Sequence, residues 1–194
     1  MTPRLPIFLD LAGLKCLVVG AAAEGKGELL RRCGAEVVAT AAAPAELAHF
    51  ALVFAAGLPR DAAIALAVAC RACGVPVNVA DEPELCSFYM PALVERGPVT
   101  VAISTGGTSP ALAAALRRRL DHALPRHLGS LAALLGALRP AVRYAIADPA
   151  ARCAFWRSVL VGPAARLALA GQPRAAAAAL QAALAAAADR RGAA

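Results

Sequence analysis

Two acids stand side by side at the end of an apolar run, in Asn78-Val-Ala-Asp81-Glu82. If the run is a strand, both carboxylates lie at the C-terminal edge of a sheet, where open α/β sheets hold their ligands. A carboxylate partly desolvated there by a ligand has its pKa raised and can act as a general base. The same acids can cap a following helix, and the residues alone leave both readings open. A second string, Ser104-Thr105-Gly106-Gly107-Thr108-Ser109-Pro110, follows another apolar run. Its two glycines and four hydroxyls make an anion-receptive cradle of N–H and O–H donors at a helix start that Pro110 fixes. A third, Gly20-Ala21-Ala22-Ala23-Glu24-Gly25, sits between a strand-like run and a helical pattern, the context of a dinucleotide-binding turn. Gly20 supplies the tight turn, and Ala22 takes the place where a second glycine lets backbone approach a pyrophosphate. Cys70-Arg-Ala-Cys73 has C-x-x-C spacing but lies in a helical pattern with no second pair, so it reads as small apolar helix residues. No His/Cys cluster suggests a permanent metal.

The elements that must position these strings alternate short apolar runs with helical patterns, the signature of a parallel α/β sheet. Strands are expected at 15–20, 36–39, 51–55, 76–80 and 99–104, with helices at 24–33 and 62–73 closed by Gly34 and Gly74. The second strand runs into Ala41-Ala42-Ala43-Pro44 with no carboxylate to grip a ribose. After Pro110 only helical patterns follow, at 111–124, 128–138, 150–161, 164–170 and 175–189, mostly alanine-based. Each buries little, so they are expected to pack together or on a partner subunit. The fold class is therefore α/β, a Rossmann-like sheet domain over 1–110 followed by an all-helical region over 111–194.

Twenty basic residues against thirteen acidic ones, nearly all arginine, favour a carboxylate or phosphate partner, because the guanidinium fork binds such groups bidentately. Aromatic residues make up only 4%, which offers no stacking surface for single-stranded nucleic acid. Asp10 ends the first apolar run too early for a signal sequence, and no stretch of about 20 residues is apolar enough to span a bilayer. A cytoplasmic protein without nucleic-acid or membrane partners is the expectation.

Taken as strings in order, several segments resemble one family. These are Leu5-Pro-Ile-Phe8, Cys16–Gly20, Asn78-Val-Ala-Asp81, Ser87-Phe-Tyr-Met-Pro91, Val101 through Ala113, Leu124-Pro-Arg-His-Leu-Gly129 and Phe155-Trp156. They look like the N-terminal, bifunctional part of siroheme synthase, the precorrin-2 dehydrogenase/sirohydrochlorin ferrochelatase. The resemblance implies a Rossmann-type domain and a helical dimerisation and substrate-covering region. It also implies that NAD accepts a hydride from precorrin-2, and that Fe2+ is then inserted as a substrate. Asp81 falls on the family's shared base. The implied NAD contacts are Gly20, Ala21, Ala22, Ala23, Ala42 and Ala43. The implied tetrapyrrole contacts are Asn78, Ser104, Thr105, Gly106, Gly107, Thr108 and Ser109, and Thr105 falls on a hydroxyl that is phosphorylated in some members. A homodimer is expected, and a substrate with eight carboxylates suits the arginine-rich balance. The chain departs from the family's pattern in three places. The glycine turn is two residues short, only Ala41–His49 stands where a further strand and its connection belong, and Ala55-Ala-Gly57-Leu-Pro59 replaces an acid-containing turn. These losses keep an alternative open, a chelatase or a non-catalytic tetrapyrrole-binding scaffold without NAD.

Overall fold

The computed structural model describes residues 4–192, with side chains as far as residue 188. The chain divides into two compact units, residues 1–90 with 106–108, and residues 91–105 with 109–194.

The first unit is built on four parallel strands, β1 (Lys15–Val19), β2 (Glu36–Thr40), β3 (Leu52–Ala55) and β4 (Val77–Val79), in the order β2-β1-β3-β4. The Leu/Val-rich runs of β1 and β3 are buried on both faces, as parallel strands between two layers must be. On one face α1 (Glu24–Arg32) brings Leu30 onto Cys16, Val18, Leu52 and Phe54. On the other, α2 (Arg60–Ala72) presents Ala63, Leu66, Ala67 and Cys70 to Leu17, Val19 and Val53, a single stripe at helical spacing. Cys70 is fully buried and burial pushes its thiol up to about 11, so the C-x-x-C pair has no reactive member inside the helix.

The passage from β2 to β3 crosses β1 in the eleven residues 41–51 without a helix, where a parallel crossover normally takes a dozen or more. Leu47 and Phe50 drop into the core under the sheet instead. Val38, on the face of Leu17, stays 38% exposed because nothing covers β2 there. The opposite edge of the sheet is sealed. Ser87 bonds main chain and hydroxyl to Val77 on β4, which blunts an edge that a further strand would otherwise extend.

The second unit departs from the sequence expectation. Val99–Ser104 does not continue the parallel sheet. As β6 (Val99–Ile103) it pairs antiparallel with β5 (Ala92–Arg96), a strand hidden from the sequence reading between Pro91 and Gly97. Their two-residue turn opens on Gly97 at φ 59, a conformation suited to glycine in a tight hairpin. Among the described residues five helices follow, α3 (Pro110–Ala123), α4 (Leu128–Ala145), α5 (Pro149–Val161), α6 (Pro163–Leu169) and α7 (Pro173–Gly192). The helix expected to stop at Leu138 runs on through Pro140, since the main-chain bond that proline forgoes points at exposed Gly136. Two apolar clusters hold the unit, one around Val142, Ile146, Phe155 and Leu180, the other around Leu131, Ala165, Ala168 and Ala176. No helix among the described residues is long and apolar enough to cross a membrane.

Candidate active site

β4 ends at Val79, and the chain turns at Asp81 with φ 64. Among the described residues Asp81 is the only non-glycine one with a positive φ. An L-residue there crowds its Cβ against the following carbonyl, which Asp tolerates better than most, and such outliers gather at functional positions. The side chain is exposed at the C-terminal edge of the sheet, while the 3-10 turn after it starts at Pro83 with no side-chain cap. The cap reading of Asp81 and Glu82 therefore fails. Glu82 is instead bound by Arg60, whose guanidinium reaches its two carboxylate oxygens at 2.8 and 2.7 Å.

Asn78, expected as a substrate contact, uses its amide N–H groups locally. Nδ2 donates to the carbonyl of Phe88 at 3.0 Å and to Sγ of Cys86 at 3.5 Å. Cys86 donates in turn to the carbonyl of Val79 at 3.2 Å, and burial raises its thiol so that it keeps the proton it donates. The Phe88 ring meets Phe54 edge-on, with centroids 5.2 Å apart. Ser87-Phe-Tyr-Met is thus the strap that closes the sheet beside Asp81.

The glycine turn keeps its backbone. Gly20 lies at φ 90 and ψ 152, and a Cβ on it would run into the carbonyl oxygen of Ala56. Ala21, Ala22 and Ala23 form one 3-10 turn leading into α1, and neither piece has a side-chain cap. Its N-terminal N–H groups are therefore suited to an anion. The Ala22 methyl lies 3.3 Å from where a Cβ on Gly57 (φ 73) would stand, so the turns after β1 and β3 close on each other. Glu24 occupies the first turn of α1, the place a phosphate would share. At the end of β2 stands Thr40, whose buried Oγ1 has no hydrogen-bond partner, and the following Ala42 and Ala43 are exposed. This donor set fits a dinucleotide through main-chain N–H groups and the Thr40 hydroxyl.

The Ser104–Ser109 string divides between the units. In the second, the Thr105 hydroxyl donates to the carbonyl of Ser109 at 3.1 Å and accepts the Ser109 N–H at 3.2 Å, while Ser109 Oγ caps α3 through the N–H of Leu112. In the first, Gly106 and Gly107 lie at φ 67 and 86, and the Gly106 carbonyl accepts from Arg4 at 2.8 Å. Arg4 lies 3.9 Å over the Tyr89 ring, and the Tyr89 hydroxyl donates to the carbonyl of Pro83 at 2.8 Å. Arg4, Arg60 and Tyr89 escaped the sequence reading. An arginine next to no motif carries no signal, and Tyr89 was visible only as one letter of a matched string. Among the described residues no group of His, Cys, Asp and Glu is disposed to hold a metal ion.

Comparison with known proteins gives three family matches in chain order. They are an NAD(P)-binding model over residues 38–92, the sirohaem biosynthesis protein central region over 96–123, and the sirohaem synthase dimerisation region over 127–184. The first begins beyond the glycine turn. The siroheme synthase of Methylococcus capsulatus is 44% identical over 192 positions, covering 87% of this chain and 40% of that protein. Siroheme synthase 1 of Halorhodospira halophila is 41% identical over 194 positions, covering 86% and 40%. The chain thus spans about two fifths of the length of these relatives. Because 87% of 194 residues is about 169, some 23 of the 192 positions aligned with the Methylococcus protein have no counterpart here. The solved structure of SirC, a precorrin-2 dehydrogenase, superposes with a TM-score of 0.69 at 17% identity, covering 92% of this chain and 99% of that one, which supports the fold. From the ordered family matches and these identities along most of its length, the chain belongs to the siroheme synthase N-terminal family.

Proposed function

We propose that the chain acts in siroheme biosynthesis, oxidising precorrin-2 to sirohydrochlorin and then exchanging the two inner N–H protons of the macrocycle for Fe2+. The observation that carries this reading is Asp81, held at φ 64 and exposed at the C-terminal end of β4 in a chain of this family. Oxidation removes a hydride and a proton from the substrate, and NAD, when bound, supplies the hydride acceptor. Asp81 receives the proton, and its exposed carboxylate serves again when metal insertion releases protons from the pyrrole nitrogens. Main-chain N–H groups of Ala21 and Ala22 would hold the phosphates of the cofactor, with Ala23 closing the turn on the Gly20 carbonyl and Thr40, Ala42 and Ala43 beside the ribose. Asn78 acts by bracing the strap beside Asp81, and the Ser104–Ser109 string is the loop that the family resemblance assigns to substrate carboxylates. A homodimer formed through the region of residues 127–184, in the cytoplasm, completes the reading. Anaerobic incubation of precorrin-2 with NAD, followed by absorbance for sirohydrochlorin, tests it. Turnover that requires NAD supports it, and an unchanged spectrum would refute the dehydrogenase step.

One observation favours a second reading. Ala22 packed against Gly57 and Glu24 at the helix start weaken the dinucleotide turn while leaving the Asp81 region intact. In that case the chain inserts metal without oxidising. Calorimetric titration with NAD separates the two, because the chelatase-only reading requires no heat of binding at millimolar cofactor.

A further inference from the structure

Asp81 is followed by three residues tied down from three directions within the same unit, and none of these ties is a ladder bond of a strand or helix. From the first residue of α2, the Arg60 guanidinium binds both oxygens of Glu82 and, through Nη2, Oε1 of Glu84 at 3.2 Å. From the other end of α2, Arg71 donates to the carbonyl of Glu84 at 3.1 Å. From the strap, Tyr89 donates to the carbonyl of Pro83 at 2.8 Å, and the Cys86 thiol lies 3.4 Å from the carbonyl of Glu82. The Glu82 side chain is only 24% exposed, whereas that of Arg60 is 62% exposed. Charge from Glu82, then its hydrogen bond, raises the pKa of Arg60.

A surface ion pair of this kind adds little to stability. The planar guanidinium does fix direction here, because Nη1 meets both oxygens of Glu82 while Nη2 reaches Glu84, so one rigid group sets both carboxylates. A left-handed non-glycine residue also persists only where its surroundings over-determine it. These facts meet at one residue. We propose that Arg60 and Tyr89 are positioning residues for Asp81, holding the 82–84 turn so that the carboxylate keeps one aim. The proposal rests on Asp81 being the base. It assigns a purpose to the arginine and tyrosine that the chemistry itself does not use, and it locates that purpose in α2 and the strap.

The test compares the full-length protein with its Asp81→Asn, Arg60→Ala, Arg60→Lys and Tyr89→Phe variants. Two readouts are Co2+ insertion into sirohydrochlorin, followed by absorbance, and sirohydrochlorin affinity by direct titration; thermal melting checks folding. Because misplacing a catalytic group by about an ångström costs up to about a hundredfold, Arg60→Ala should lower kcat roughly tenfold and Tyr89→Phe roughly threefold, with KM within about twofold. Arg60→Lys should recover part of the loss, since a point charge still meets Glu82 without spanning to Glu84. If Asp81→Asn is inactive while Arg60→Ala and Tyr89→Phe keep the parental kcat, or change only KM, the positioning role is wrong and the base assignment stands. If Asp81→Asn retains full activity, the base assignment falls and the proposal with it. Should Arg60→Ala fail to fold, Arg60→Lys and Tyr89→Phe decide, and parental kcat in both overturns the proposal.

Discussion

Replacing Asp81 separates what the residue does for the fold from what it does for chemistry. At φ 64 an L-residue carries a backbone cost of about 1–2 kcal/mol, somewhat less for aspartate, and glycine carries none. Asp81→Gly recovers that cost but frees the unfolded chain, a loss of about 0.4–1 kcal/mol. The balance runs from neutral to about 1 kcal/mol in favour of the glycine variant. Asp81→Ala keeps the strain and loses any local help from the carboxylate, so it should sit about 1 kcal/mol below the parent, and Asp81→Val, β-branched, about 2 kcal/mol below. For a chain of 194 residues each kcal/mol moves the melting temperature by about 2–4 °C. Thermal denaturation of the four proteins should therefore rank glycine at or above aspartate, then alanine, then valine, and all three variants should lose metal insertion. A glycine variant that melts below the alanine one would refute the reasoning, because the freedom glycine adds to the unfolded chain would then outweigh any backbone strain relieved at this turn.

At the glycine turn, Ala22→Gly removes the methyl packed on Gly57, and Glu24→Gln removes a negative charge beside the proposed phosphate site. Calorimetry should show each variant binding NAD more tightly, by about two- to fivefold for Glu24→Gln given about 0.3–1 kcal/mol for a charge at a helix N-terminus. In the second unit, Arg96 lies 2.8 Å from Asp121 and lowers the Asp121 carboxyl below its usual range, chiefly by hydrogen bonding. A depressed carboxyl stabilises above its unfolded pKa of about 4 and loses that contribution as pH falls through the folded value, so Asp121→Asn should flatten the decline of the urea midpoint between about pH 5 and 3. Gly129 packs on the turn at Arg96–Gly97, where a Cβ would run into the carbonyl of Arg96 and stand 3.0 Å from the nitrogen of Gly97. Gly129→Ala should cost about 1–3 kcal/mol by chemical denaturation, against a Gly136→Ala that gains about 0.5–1 kcal/mol in the exposed helix interior, its Cβ meeting nothing within 4 Å.

Much of the first unit was legible because its strands are short Val/Leu runs and its helices stop at glycines. Lys15–Val19, Leu52–Ala55 and the α2 stripe at 63, 66, 67 and 70 follow directly from such patterns. The strand Ala92–Arg96 was not legible. Five residues without clean alternation, bounded by Pro91 and Gly97, resemble a loop until a partner strand is known. That same lack of a partner made Val99–Ile103 look like part of the parallel sheet. At the site, Asp81 could be placed at the sheet edge from its run of apolar neighbours, but its left-handed backbone is a tertiary outcome that no local pattern encodes. Asn78 shows the opposite lesson. The resemblance alone implied a ligand contact there, and what the fold adds is that the amide N–H groups reach Phe88 and Cys86. The shortened β2–β3 passage was readable as a count of residues, while its structural remedy, Leu47 and Phe50 buried in place of a helix, emerges only from packing.

The central claim, that one aspartate serves both steps on one tetrapyrrole, is tested most directly by Asp81→Asn in parallel assays. Precorrin-2 with NAD would be followed anaerobically to sirohydrochlorin, and sirohydrochlorin with Fe2+ to siroheme, alongside tetrapyrrole affinity. The account predicts that the variant binds sirohydrochlorin as the parent does and loses both conversions together. Both conversions at parental rates, with Asp81 gone, would contradict it.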